Sequence, residues 1–258
     1  MSISYSSFEQ LPSTQHPWLR GDGLFETLRV FEGQPVLLHR HLKRLTGSAT
    51  GLRFDLPDMA RVESETRSLA SSWRQQSGRL RITLFANCDF LITIEDFSVA
   101  SASPVKLGFS EHLINLDAAL TGHKSLSYGA NSLALRQAHD SGLSDLVLRN
   151  TNGEIVETAF ANIYVITEGR VITPALQSGC LPGIARELIL EHGWAEESSF
   201  PVDTLFNADA LFLSSSLKGI VAVDSLSEKG RTKNFVSNPE IEAISRKYEE
   251  AARADSRA

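Results

Sequence analysis

Apolar positions along the chain recur at intervals of two in some segments and of three or four in others, which predicts a mixture of strands and helices. Across residues 38–52 the apolar side chains fall four and three residues apart, so they share one helix face. Gly33 and Gly78 stand where the pattern changes and act as turn and stop signals. In the first part of the chain, the pattern predicts strand 24–31, helix 38–52, helix 58–76, hairpin strands 80–85 and 90–94, and strand 105–108.

The second part of the chain is richer in short strands and comes after a stretch, 111–123, that has no clear periodicity. Asn152-Gly153 and Glu168-Gly169 are typical hairpin turns. The predicted elements are helix 131–141, strands 145–149, 154–157, 163–167 and 171–173, helix 184–192, strands 211–214 and 220–223, and helix 239–253. We therefore predict an α/β (α+β) chain of two mixed lobes, residues 1–112 and 113–258, with a cleft between them.

Composition excludes several classes of protein. The net charge of −6 and the pI near 5.7 argue against a nucleic-acid surface, which needs clustered lysine and arginine. No apolar run approaches the roughly 20 residues of a membrane span, and the first residues lack the basic start and apolar core of a signal peptide. Cys88 and Cys180 lack metal-site spacing, so we predict no metal centre and a reducing compartment. We expect a cytoplasmic protein that acts on a small molecule.

Several polar residues are candidates for chemistry, although each also has an ordinary structural explanation. Lys124 lies among small and polar residues, where a lysine is usually a solvated charge. Arg44 lies on the first predicted helix, where an exposed ion pair is the default, and Glu157 ends an apolar strand. Their positions become informative in combination with the motifs around them.

Four stretches of sequence, in this order and spacing, match one known family. They are Arg20-Gly-Asp-Gly-Leu-Phe-Glu-Thr-Leu-Arg29, His41-Leu-Lys-Arg-Leu45, Lys124-Ser-Leu-Ser-Tyr128 and Asn152-Gly-Glu-Ile-Val-Glu-Thr-Ala-Phe-Ala-Asn-Ile-Tyr164, the last continued by Thr173-Pro174 and Leu181-Pro-Gly-Ile-Ala-Arg186. Together they resemble the class IV aminotransferase and 4-amino-4-deoxychorismate lyase family, the fold-type IV enzymes that use pyridoxal 5′-phosphate. The resemblance covers about residues 20–52 and 122–224.

The resemblance implies a fold-type IV arrangement with the cofactor in the cleft, a larger C-terminal cofactor-binding domain, and a homodimer. It implies that Lys124 holds the cofactor as a Schiff base and later moves the proton, for which its amine must be substantially neutral. Tyr128 matches the residue that hydrogen-bonds the phenolic oxygen of the ring. Glu157 matches the carboxylate that keeps the ring nitrogen protonated, so that the ring withdraws electrons from the substrate.

The phosphate of the cofactor needs positive charge and hydrogen-bond donors. Arg44 matches the family arginine that presents a guanidinium fork to it. The amides of Ile184 and Ala185 open a helix, where unpaired N–H groups favour an anion. Ser215 and Ser216 match a turn that also donates to the phosphate, and Ser216 stands where threonine is common.

The residues constrain the reaction less tightly than the cofactor. The Gly21–Thr27 stretch is more similar to the lyase branch, which converts 4-amino-4-deoxychorismate to 4-aminobenzoate and pyruvate in folate biosynthesis. Class IV aminotransferases that act on branched-chain or D-amino acids are the alternative, and they need a keto-acid acceptor that a lyase does not. A catalytically inactive homologue that only binds pyridoxal phosphate is a third possibility.

Two features depart from the family pattern. The connection at Asn87–Asp89 is too short to carry the substrate-carboxylate arginine of several branches, and the N-terminus lacks the usual opening strand with an Asn-Gly turn. We expect Arg29 to bind a substrate carboxylate instead, assisted by backbone near Lys218-Gly219, because Arg29 shares a strand face with Phe25. A structural ion pair is an equally good explanation of Arg29.

Overall fold

The structure, a computed structural model, describes residues 2–6, 16–98 and 105–256, and these form two compact units. The first unit contains the described residues up to 98 together with 123–128 and 252–256. The second unit contains 105–122 and 129–251. The predicted lobes, 1–112 and 113–258, treat each lobe as one continuous segment, whereas two short segments from later in the chain return to the first unit.

One antiparallel sheet and two helices make up most of the first unit. Its elements are β1 (Ser2–Ser6), β2 (Gly23–Phe31), β3 (Gln34–Pro35), α1 (Leu38–Gly51), α2 (Met59–Ser72), β4 (Ser77–Phe85) and β5 (Phe90–Asp96). The strand order is β1-β5-β4-β2-β3, and every neighbouring pair is antiparallel. A short 3-10 helix, Pro17–Arg20, precedes β2.

The two faces of this sheet differ in character, because side chains alternate along each strand. One face packs on α1 and α2 through leucine, isoleucine and valine side chains that are almost fully buried. Burial of each contributes roughly 1.5–3 kcal/mol to folding. On the other face, β2 presents Phe25, Thr27 and Arg29 directly opposite Thr83, Arg81 and Arg79 of β4.

The second unit contains two further five-stranded sheets. Its elements are β6 (Lys106–Ile114), α3 (Gly129–Asp140), β7 (Asp145–Asn150), β8 (Ile155–Thr158), β9 (Asn162–Thr167), β10 (Arg170–Pro174), α4 (Ile184–Glu191), β11 (Glu196–Ser198), α5 (Val202–Asn207), β12 (Ala210–Ser215), β13 (Gly219–Ala222), β14 (Ser225–Glu228), β15 (Arg231–Asn234) and α6 (Pro239–Asp255). A 3-10 helix, Leu176–Ser178, lies between β10 and α4. The last residues of α6 belong to the first unit.

The two sheets of the second unit share one apolar core. Their strand orders are β15-β14-β6-β7-β8 and β11-β10-β9-β12-β13. Val147 of the first of these sheets and Ile163 and Leu211 of the second are fully buried in the same cluster, which Phe206 of α5 closes. The β-branched and leucine side chains that predicted these strands therefore form the contact between the sheets.

The mixed α/β class is confirmed, and three local predictions are wrong. A strand does open the chain, because β1 pairs with β5. Helix α2 ends at Ser72 rather than at residue 76, since Trp73 is extended and its indole donates to the Ser77 carbonyl at 3.0 Å. Strand β6 continues to Ile114, into the stretch that showed no periodicity. No helix in the described residues is long and apolar enough to cross a membrane.

Candidate active site

Lys124 is held beside strand β2 by backbone hydrogen bonds. The Phe25 amide donates to the Lys124 carbonyl at 2.9 Å, and the Leu126 amide donates to the Gly23 carbonyl at 2.8 Å. Segment 123–128 thereby adds a short antiparallel bridge to the sheet of the first unit. Two motifs that lie about a hundred residues apart in the sequence are thus neighbours in the fold.

The glycines of the Gly-Asp-Gly motif allow this close approach. Gly21 has a φ of 68°, which favours glycine. A Cβ atom on Gly23 would lie 2.7 Å from the Leu84 carbonyl oxygen and 2.7 Å from the Leu126 side chain. Any side chain at this position would therefore push the lysine segment away from β2.

The Lys124 amine lies between two aromatic rings. Its Nζ atom is 4.3 Å from the ring centroid of Phe25 and 4.9 Å from that of Tyr128. The two rings meet edge to face with centroids 5.3 Å apart. Lys124 is half-buried in this position. Partial desolvation of this kind is typical of lysines that act as nucleophiles and proton carriers.

Arg81 belongs to the same group, and motif comparison missed it. Its Cζ atom lies 3.7 Å from the centroid of the Phe25 ring that Lys124 also contacts. Its Nε donates to the Thr83 hydroxyl at 3.3 Å, but none of the described carboxylates forms an ion pair with it. Burial, helped by the charge of Arg79, lowers the pKa of the Arg81 guanidinium, which nevertheless stays protonated at neutral pH. A half-buried cation without a carboxylate partner among the described residues is suited to bind an anion.

Arg29 lies farther along the sheet. It shares the face of β2 that carries Phe25, as expected, but four residues of strand separate the two by about 13 Å. Arg79 lies directly opposite it. Arg29 lines an open cavity of about 550 Å³ together with Phe31, Gln75, Gln76, Ser77, Asp96, Phe97 and Ser98. Its role as a carboxylate ligand of the substrate stays a prediction.

Arg44 projects from α1 onto Glu26, a buried carboxylate on the core face of β2. Its Nε donates to Glu26 Oε1 at 2.8 Å and its Nη2 to Oε2 at 2.5 Å. The Nδ1 atom of His41 lies 2.7 Å from the same Oε2. One edge of the Arg44 guanidinium therefore serves a structural ion pair, and its role at the phosphate stays a prediction.

Opposing effects set the charge states of this trio. Burial by itself would raise the pKa of Glu26, but the Arg44 charge and the hydrogen bonds from His41 and Arg44 lower it to about 2. Burial lowers the pKa of His41 despite the neighbouring carboxylate. His41 is therefore neutral at neutral pH and donates its Nδ1–H to Glu26, so that the contact is a hydrogen bond rather than an ion pair.

In the second unit, Glu157 lies at the end of β8 near the segment that leads into α4. Its Oε2 accepts from Asn162 Nδ2 and from the Leu181 amide, each at 3.2 Å. Asn162 also donates to the Leu181 carbonyl at 3.0 Å. Gly183 has no room for a side chain, because a Cβ atom would collide with the Asn162 amide oxygen. These contacts fix one oxygen of the Glu157 carboxylate.

The predicted phosphate donors of the second unit lie on neighbouring elements. Helix α4 begins at Ile184, so the amides of Ile184 and Ala185 precede the first carbonyls that could accept from them within the helix. Helix α4 packs on β12, which ends at Ser215, and Ser216 comes next in the turn to β13. Ser215 Oγ accepts from the Lys218 amide at 3.2 Å and stabilises that turn.

The donor set suits pyridoxal phosphate. A half-buried amine, a carboxylate with one fixed oxygen, a guanidinium, helix amides and hydroxyls are the groups that an aldehyde, a ring nitrogen and a phosphate require. His41 Nε2 is also buried without a hydrogen-bond partner among the described residues. Within the same described ranges, no cluster of three or more His, Cys, Asp or Glu side chains could hold a metal ion.

Known proteins resemble this chain over most of its length. The model of the family described as Amino-transferase class IV matches residues 23–226. A probable branched-chain-amino-acid aminotransferase of Thermotoga maritima is 28% identical over 241 residues, which cover 88% of this chain and 83% of the relative. The aminodeoxychorismate lyase of Vibrio harveyi is 25% identical over 244 residues, which cover 84% and 89%.

Solved structures agree with these similarities. A putative 4-amino-4-deoxychorismate lyase from Legionella pneumophila has a TM-score of 0.84 at 25% identity, covering 95% of this chain and 97% of that chain. A hypothetical aminotransferase from Mycobacterium tuberculosis, in its PLP-bound form, has a TM-score of 0.86 at 22% identity, covering 99% and 100%. The second similarity shows a common fold.

Proposed function

The chain belongs to the class IV aminotransferase family of pyridoxal phosphate enzymes, and on that premise we propose that it converts 4-amino-4-deoxychorismate to 4-aminobenzoate and pyruvate. This reaction would place it in folate biosynthesis. The observation that carries the proposal is the group formed by Lys124, Phe25 and Arg81. A half-buried amine and an anion-binding guanidinium share one aromatic ring, as a substrate with both an amine and carboxylates requires.

Pyridoxal phosphate, when bound, supplies an electron sink for the pair released at the amine-bearing carbon. Lys124 bonds to the cofactor and, once displaced by the substrate amine, takes the proton from that carbon on its free Nζ. The Glu157 carboxylate holds the proton on the ring nitrogen, and Tyr128 hydrogen-bonds the phenolic oxygen. The phosphate is bound by Arg44, the amides of Ile184 and Ala185, and the hydroxyls of Ser215 and Ser216.

Arg81 supplies the carboxylate contact that the short β4–β5 connection lacks. Residues 86–89 contain no arginine, so this turn cannot provide one. Because Arg81 and Lys124 both lie over the Phe25 ring, Arg81 meets the carboxylate nearer to the substrate amine. In 4-amino-4-deoxychorismate this is the enolpyruvyl carboxylate, and Arg29 on the same sheet face is the candidate for the remote ring carboxylate.

An aminotransferase is the second candidate, and the same geometry favours it specifically. An amino acid carries its carboxylate on the carbon that bears the amine, which is also compatible with a guanidinium close to Lys124. Branched-chain and D-amino acids are the substrate classes to test. The two candidates differ in the step after proton removal: the lyase expels pyruvate, whereas the aminotransferase returns a proton to the cofactor and needs a keto acid.

We also propose that the protein is a cytoplasmic homodimer. Trp18, Leu113 and Phe160 are each more than two-fifths exposed, and a second copy would cover such apolar surface. Cys88 and Cys180 are both free thiols, as a reducing compartment favours.

The first prediction concerns the reaction. We expect the cofactor-loaded protein to form 4-aminobenzoate and pyruvate from 4-amino-4-deoxychorismate without any keto acid, and Lys124→Ala to abolish both products. Single L- and D-amino acids should leave the cofactor absorbance band essentially unchanged. Complete conversion to the pyridoxamine form by an amino acid, with no 4-aminobenzoate from the cyclic substrate, would identify an aminotransferase instead.

A further inference from the structure

Glu26 is a carboxylate at a position where the sheet otherwise places apolar side chains. Leu24 and Leu28, its neighbours on the same face of β2, are buried, and Glu26 itself is only 1% exposed. Apolar side chains at such positions usually stabilise a fold at least as well as a buried ion pair does. Stability alone therefore gives no reason for a charge here, and the geometry that Glu26 imposes on its partners does.

Glu26 fixes the plane and the direction of the Arg44 guanidinium. Both contacts use the side-on edge of the guanidinium, with Nε donating at 2.8 Å and Nη2 at 2.5 Å to the two carboxylate oxygens. Two parallel hydrogen bonds between planar groups prevent rotation about the last bonds of the arginine side chain. The other edge, which carries Nη1, then points in a fixed direction away from β2.

His41 fixes Glu26 in turn. It lies one turn before Arg44 on α1, so both side chains reach the same carboxylate from one helix face. Its Nδ1–H donates to Glu26 Oε2 at 2.7 Å. Because the imidazole is neutral, His41 orients the carboxylate without adding charge. Glu26 and Arg44 together carry no net charge, so an anion would be attracted to the oriented donors rather than to a net positive patch.

We propose that Glu26 is a positioning residue that holds Arg44 in the orientation required to bind the cofactor phosphate, with His41 as its support. The inference rests on the phosphate role proposed for Arg44. It opposes a simple electrostatic expectation, because removing a negative charge near a phosphate dianion should strengthen binding. If Glu26 acts by positioning, its removal weakens binding instead.

The test compares the affinities of the full-length apoprotein for pyridoxal phosphate and for pyridoxal, which lacks the phosphate. We expect Glu26→Gln to lower the ratio of the two affinities about tenfold, because an oriented, charge-assisted contact is lost. Glu26→Asp keeps the charge but withdraws the carboxylate, so it should lower the ratio as well. Glu63→Gln removes a glutamate from an exposed ion pair with Arg67 on α2 and serves as the matched control.

A general loss of folding would weaken both ligands alike and leave the ratio unchanged, so the ratio isolates the phosphate contact. In an Arg44→Ala background, Glu26→Gln should cause no further decrease of the ratio. A ratio that rises or stays constant in both Glu26 variants, while Arg44→Ala lowers it, would overturn the positioning role alone. A ratio unaffected by Arg44→Ala would instead contradict the proposed phosphate role of Arg44, and the inference would fall with it.

Discussion

At the scale of single residues, the Arg81 guanidinium is a cation that the protein half-buries without a carboxylate partner in the described ranges. Stacking on the Phe25 ring offsets part of that cost, since a cation over an aromatic face gains about 0.5–2 kcal/mol. The remaining cost is recovered when an anion binds. Arg79, two residues earlier on the same strand face, differs because Glu95 neutralises it at 2.6 Å.

We therefore predict that Arg81→Gln weakens the use of carboxylate substrates while the cofactor stays bound. A charge-assisted hydrogen bond is worth about 1.5–3 kcal/mol, so kcat/KM should fall roughly tenfold to a hundredfold. Reaction of the cofactor with a simple primary amine should be unchanged. Arg79→Gln, the same substitution on the same face, is the control and should leave kcat/KM within about twofold. Equal losses in both variants would show that Arg81 has no special role.

The residues that motif comparison identified differ in kind from those it missed. Lys124, Tyr128 and Phe25 stand in recognisable stretches, and the structure does bring them together. Arg81 stands in no motif, and its proximity to Phe25 depends on the register of β2 against β4. Glu26 carried a local signal, an acid on an otherwise apolar strand face, but its partners on α1 depend on how the helix packs.

At the scale of elements, α1 begins without a capping side chain of its own. Its N-cap residue, Leu37, has a left-handed backbone with a φ of 56°. The end of α6 compensates: the Leu37 amide donates to Ser256 Oγ at 2.8 Å, and Arg40 Nε donates to Asp255 at 2.5 Å. Periodicity predicts both helices, but it cannot show that one helix end caps the other.

This contact predicts that Asp255→Asn destabilises the first unit. The Arg40–Asp255 pair is mostly buried, with the two side chains 14% and 26% exposed. Loss of a charged hydrogen bond of this kind should lower the free energy of unfolding by about 1–2 kcal/mol in urea denaturation. The matched control is Asp203→Asn, which breaks an exposed pair with Arg231 and should have no measurable effect. Equal stability of the two variants would mean that the α6 end contributes nothing to α1.

At the scale of the whole molecule, the family match spans residues of both compact units, so neither unit alone carries the matched sequence. The number and type of elements can be predicted from local periodicity, because each strand and helix shows its own apolar face. Membership of a unit cannot, because segments 123–128 and 252–256 join the first unit through contacts made far along the chain. Such contacts leave no periodic signal in the segment itself.

The buried trio also gives the molecule a specific acid sensitivity. The pKa of Glu26 is about 2 in the folded protein and about 4.3 in an unfolded chain. Between these values the unfolded chain binds a proton that the folded protein does not, so stability falls as pH decreases. His41, whose pKa is also lowered by folding, acts in the same direction below pH about 6.5.

We predict that the difference in unfolding free energy between the wild type and Glu26→Gln depends on pH. The ionised Glu26 contributes on the order of 3 kcal/mol above pH about 4.5, and this contribution is lost progressively as the pH falls towards 2. Urea denaturation at several pH values between 3 and 7, monitored by circular dichroism, measures the difference directly. Wild type should be the more stable protein at pH 6, and the two unfolding curves should converge towards pH 3. The exposed Glu63→Gln variant should run parallel to wild type throughout, because its carboxylate makes only a surface pair. A constant gap between wild type and Glu26→Gln over this range would mean that Glu26 is not ionised in the folded protein, or that its ionisation does not stabilise it.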